Sequence, residues 1–154
     1  MKKLIIFFAI LSLGCNIQGQ VNVLPAQRPN DLTLTYHVDG GMRYYFENIN
    51  IAADSCVYVI NNGGKKTHSL IKLSNKDLDD LYAMLKKNQF NKIEYSTKEN
   101  VYDRGGISIE VGWNNGRQRV NVSNAQNSFV KQNWEKEWGA VCKYIKDLAN
   151  ATKN

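Results

Sequence analysis

Residues 32–41 read LTLTYHVDGG. Leu32, Leu34, Tyr36 and Val38 alternate with Thr33, Thr35, His37 and Asp39, the two-residue period of a strand with one buried face. Asp39-Gly40-Gly41 then reverses the chain, because glycine reaches positive φ without steric cost. Met42–Glu47, MRYYFE, reads as the returning partner. A third strand is expected over Cys56–Ile60, a turn at Asn61-Asn62-Gly63-Gly64, and a fourth strand over Thr67–Leu73.

At Ser74 the period changes. Its hydroxyl is placed to accept from the backbone N–H of Asp77, whose charge suits the positive end of a helix. Leu73 and Leu78 stand at the positions of a hydrophobic staple. Leu78, Leu81, Tyr82 and Leu85 form one helical face, with Lys86 and Lys87 near the negative end and Asn88 as a stop. Strand grammar returns at Ile107, Ile109 and Val111, turns at Asn114-Asn115-Gly116, and resumes at Val120 and Val122. A closing helix is expected from Val130 to Ala149, with Trp134, Trp138, Val141, Cys142, Ile145 and Leu148 on one stripe. The order ββββαββα, joined by hairpins, predicts an α+β two-layer sandwich: a mostly antiparallel sheet of about six strands with two helices on one face.

The chain has 154 residues, 43% of them apolar and 22% charged. That suits a single domain, here expected over residues 31–150, and is too apolar for disorder. Upstream lies a leader. Two lysines, Lys2 and Lys3, precede LIIFFAILSL at residues 4–13, the pattern of an export signal and too short to span a bilayer. The signal is expected over residues 1–15, and polar residues 16–30, with Pro25 and Pro29, read as a tether. Leu13-Gly14-Cys15 resembles the lipobox of bacterial lipoproteins, with the two residues before Gly14 in swapped order. That resemblance implies acylation of Cys15, an N-terminal lipid anchor and an outer-membrane or periplasmic location. Cleavage before Gln20 and secretion as a soluble domain is the alternative.

Three cysteines, Cys15, Cys56 and Cys142, leave an even pair once Cys15 is acylated. A Cys56–Cys142 disulfide would close a loop of about 86 residues, worth about 4–5 kcal/mol by chain entropy. Two separate buried thiols are the alternative. The formal charge of +6 falls to +4 without Lys2 and Lys3, and the remaining lysines are scattered, which argues against nucleic acid as a partner.

Several segments resemble small exported domains of unknown function from Bacteroidota: the lipobox-like leader, LSNKDLDDLYAMLKKNQF at 73–90, DRGG at 103–106 and WEKEW at 134–138. The resemblance implies location and fold, and no activity.

No residue pattern for a metal or cofactor is present. His37 and His68 fall on the polar faces of strands without a ligand spacing such as H-E-x-x-H. No serine elbow exists. Asp79-Asp80 fall on the helix surface, and Glu110 with Glu94 or Asp103 is a conceivable carboxylate pair for glycoside cleavage that spacing alone does not support. Asp103-Arg104-Gly105-Gly106 reads either as an anion-binding nest or as a capped turn with a bulge. Arg43, Tyr45 and Trp113 are expected on the sheet face away from the helices, as a contact surface with Asp103 and Arg104. The expected function is therefore binding without catalysis: a cell-envelope lipoprotein or secreted domain that holds a protein or surface polymer, with an inhibitor or immunity role among the forms it could take. A small envelope hydrolase with an acidic site, and a structural accessory subunit, are the alternatives. A concave pocket holding a histidine or two carboxylates would favour the enzyme; a flat aromatic face would favour binding.

Overall fold

A computed structural model describes residues 23–151; Cys15, the export signal and the first part of the expected tether lie outside them. Eight strands and two helices follow in the order β1 (Thr33–Asp39), β2 (Tyr45–Ala52), β3 (Ser55–Asn62), β4 (Lys65–Lys72), α1 (Asn75–Lys87), β5 (Tyr95–Thr97), β6 (Gly106–Trp113), β7 (Gln118–Asn124), β8 (Ser128–Val130) and α2 (Glu135–Ala151). The expected α+β architecture is present. Its main sheet has six antiparallel strands in the order β4-β3-β2-β1-β6-β7.

The register explains the layers. Leu34 on β1 stands between Ile51 and Val111, and Tyr36 between Ile49 and Ile109. The rows continue to Cys56 and Tyr58 on β3. All of these side chains are buried, together with Leu81 and Leu85 of α1 and Val141 and Ile145 of α2. The opposite face, with Thr35, Asn50, Val57 and Leu70 in one row, stays exposed. One face of the sheet therefore shares its core with the helices and the other is bare.

α1 opens as its residues dictate. Ser74 Oγ accepts from the Asp77 N–H at 3.1 Å, and Asp77 Oδ2 accepts from the Ser74 N–H at 2.8 Å. That reciprocal capping box satisfies two amide donors the helix cannot.

Two differences from expectation follow from local chemistry. β5 and β8 form a small second sheet, and three-residue strands carry too short a period to read in sequence. β8 and a 3₁₀ turn over Gln132–Trp134 also delay α2 to Glu135. Secondly, from Leu24 onward the expected tether is docked on α1. Leu24 is buried, the Tyr82 hydroxyl donates to the Pro25 carbonyl at 2.7 Å, and Arg28 pairs with Asp79 at 2.7 Å. Among the described residues no helix is long and apolar enough to cross a membrane.

Candidate functional site

Two loops meet at one end of the bare face, and both are glycine-locked. The loop from β1 to β2 carries Gly41 at φ +62°, where a Cβ would lie 2.3 Å from the Asp103 carbonyl oxygen. The segment entering β6 answers with Gly105, whose Cβ would lie 2.4 Å from the Asp39 carbonyl oxygen. Backbone packs directly on backbone, which only glycine permits. The Asp39 carboxylate accepts from the Gly41 N–H at 2.9 Å and holds the turn.

Around Asp39 the surface is concave. Three hollows of about 260, 280 and 410 Å³ all have Asp39 in their walls. The first runs over β1, β6 and β7, with His37, Ser108, Asn121 and Ser123 among its walls. His37, Ser108 and Ser123 occupy one transverse row of the sheet. The second lies against Tyr102 and the third against Arg43, Tyr44 and Phe46. Tyr44 and Tyr102 are largely exposed, at 71% and 79%. Two exposed aromatic side chains thus line hollows that adjoin the polar one at Asp39.

On the floor His37, Asp39, Ser108 and Ser123 are half-buried and Asn121 is exposed, and the group is under-bonded. His37 Nδ1 donates to the Asn48 side-chain oxygen at 2.6 Å, and Nε2 has no partner among the described residues. The side chains of Ser108, Asn121 and Ser123 likewise have none there, and one Asp39 oxygen is unused. Half-sequestered polar groups of this kind are satisfied by water or by a ligand.

The structure redistributes the residues singled out in the sequence. Arg43 stays exposed beside the third hollow. Tyr45 does not lie on the bare face: it shares the parity of Ile49 and Ile51, and its hydroxyl donates to Glu47 on the helix side. Trp113 is buried on that side too, in phase with Ile109 and Val111, and its Nε1–H donates to Gln118. Arg104 is no anion trap. It donates to the Ser128 carbonyl at 2.9 Å and the Asn124 side chain at 2.8 Å, and lies over the Phe129 ring at 4.2 Å. Its charge ties the loop to the turn before β8. Asp103 takes φ +53° and packs its carbonyl against Gly41. Two of the acids singled out face cations instead: Glu110 faces Arg119 at 3.7 Å and Glu94 pairs with Lys131. His68 lies exposed on β4.

The expected Cys56–Cys142 bridge is absent, and both are free buried thiols. Cys56 stands between Ile51 and Ile71 in the sheet, and Cys142 lies on the buried face of α2. Burial pushes the thiols up to about 11 and about 12, so neither is a ready nucleophile.

A buried acid on β2 goes beyond what the sequence predicts. Glu47 is 5% exposed on the core side of β2. It accepts from Tyr45 and Tyr58 and pairs with Lys146 of α2. Its in-phase position with Ile49 and Ile51 is the signal that marks it.

No family model and no curated protein sequence matches the chain.

Proposed function

We propose that this chain is an exported, non-catalytic binding domain, held at the cell envelope through Cys15, that grips a protein or surface polymer with the Asp39 end of its bare sheet face. The observation that carries the reading is the row of half-buried polar side chains beside Asp39, His37 with Nε2 unused and Ser108 and Ser123 without side-chain partners among the described residues, in a hollow that adjoins at Asp39 two others lined by Tyr44 and Tyr102. Pre-formed concave sites with a few convergent polar groups are where ligands bind. The resemblance to exported Bacteroidota domains and the lipobox-like leader support the envelope reading.

A hydrolase reading draws on the same residues, since His37 and Asp39 line one hollow. The geometry favours it less. Ser108 makes no hydrogen bond to His37 among the described residues, as an activated nucleophile would.

The test combines fractionation with capture. Cys15→Ser should move the chain from the membrane fraction to the soluble fraction. Envelope material retained by the wild-type chain should be lost with Asp39→Asn and with Tyr44→Ala. Retention unchanged by both substitutions refutes the site, and hydrolysis products released by wild type but not by His37→Ala would establish the enzyme instead.

A further inference from the structure

We infer that the ligand of the Asp39 site is a neutral glycan; this rests on the binding reading above and names its ligand class. The hollow over β1, β6 and β7 has no lysine or arginine in its wall, and Asp39 is its one charged group. An anionic polymer would meet a carboxylate in that hollow; the two cations near it lie in the adjoining hollows, Arg104 spent on Asn124, Gln126 and Ser128 and Arg43 exposed beside Tyr44. An apolar ligand would strand the hydroxyl, amide and imidazole groups of the floor without partners, which costs more than the contact returns.

What remains is a ligand dense in hydroxyl groups. The free Asp39 oxygen and His37 Nε2 accept, while Ser108, Asn121 and Ser123 both donate and accept. A sugar hydroxyl also does both, so every group on the floor finds a complement. The adjoining hollows supply the second half of the match. A sugar ring has an apolar C–H face, and Tyr44 and Tyr102 offer exposed ring surface on either side of Asp39. A folded protein partner would fit worse: interface cores select flat surface rich in aromatic residues, methionine and arginine, not a concave floor of serine and asparagine.

The concavity is set before binding. Gly41 and Gly105 fix the two loops against each other, and Arg104 pins the second loop to the β7–β8 turn. A ligand therefore need not order the site, which keeps weak sugar contacts from being lost to entropy.

The experiment uses the whole chain, extracted in detergent, on an array of neutral oligosaccharides (glucan, mannan and xylan fragments) beside acidic ones (polygalacturonate and alginate fragments). Binding to at least one neutral series and to neither acidic series is expected. Asp39→Asn, which retains an oxygen for the Gly41 N–H, and Tyr102→Ala should each weaken that binding at least tenfold with the unfolding midpoint unchanged. Preference for the acidic series, no neutral binding, or binding indifferent to both substitutions overturns the inference. If the chain binds no sugar yet captures an envelope protein in a manner abolished by Asp39→Asn, the glycan assignment fails while the binding site stands. If neither class is held in a substitution-dependent way, both fail.

Discussion

The Glu47 carboxylate on β2 and the Lys146 ammonium on α2 meet at 3.1 Å, the first side chain 6% exposed and the second 40%. The pair joins the sheet to the closing helix, and the Tyr45 and Tyr58 hydroxyls complete the shell of the carboxylate. Removing Lys146 leaves a buried charge whose best partner is gone. Lys146→Met should cost about 2–3 kcal/mol, less than for a fully enclosed pair because the ammonium is partly solvated. Glu47→Gln, which keeps an acceptor, should cost less. Urea unfolding of both single variants and the double variant gives the coupling; additivity within 0.5 kcal/mol would show that the pair contributes nothing.

Gly41 and Gly139 should respond to alanine in opposite directions. Gly41→Ala places a Cβ 2.3 Å from the Asp103 carbonyl at φ +62°, and a loss above about 2 kcal/mol is expected. Gly139 is exposed in α2 with open space around it. Gly139→Ala should raise stability by about 0.5–1 kcal/mol, through better helix propensity and a less free unfolded chain. Thermal melts of the two variants decide the matter.

Thiol accessibility separates free cysteines from a disulfide. In a Cys15→Ser chain without reductant, a thiol reagent should react slowly with the folded protein, because Cys56 and Cys142 are buried. Unfolding in denaturant should then release two thiols. Release of none would establish a bridge that the structure lacks.

Stability should fall on the alkaline side. Burial disfavours the anions and raises Cys56 from 9.0 to about 11, Cys142 from 9.0 to about 12 and Tyr58 from 10.0 to about 12. Tyr36 and Tyr45 are raised as well, first by burial. The folded chain thus holds these protons longer than the unfolded chain does. Their contribution is complete below about pH 9 and is lost as pH rises from there through about 12. Urea unfolding at pH 10.5 should give a free energy lower than at pH 8 by on the order of 3 kcal/mol. Equal values would contradict the burial of these groups.

At the acid end the capping box acts with the opposite sign. Hydrogen bonds from the Ser74 hydroxyl and N–H lower the Asp77 carboxyl below its usual 3.8. Its contribution is present above that value and lost as pH falls through the lowered one. Ser74→Ala should destabilise α1 by about 1 kcal/mol at neutral pH, measured by urea unfolding, with the difference narrowing below pH 3.

Wherever a residue's role depends on its neighbours in sequence, it was legible. The alternation from Leu32 to Val38 produced β1, the Ser74–Asp77 spacing produced the capping box, and the stripe from Leu78 to Leu85 produced the buried face of α1. Tyr45 and Trp113 were assigned to the wrong face because alternation gives two sides without saying which is covered. On β2 the signal was broken further by Glu47, an acid standing in an otherwise apolar row. Arg104 looked like a free charge until Asn124, Gln126, Ser128 and Phe129 came to meet it.

By itself, then, the chain's order of residues determined the elements, their helical or extended character and the caps and turns between them, since those follow from interactions a few residues long. Only the tertiary structure decided that β6 pairs with β1 across about seventy residues, that Lys146 finds Glu47, and that His37, Asp39, Ser108 and Ser123 share one hollow. Such meetings depend on which long loops close and which sheet face the helices cover, and that choice is made by the packing of the whole core.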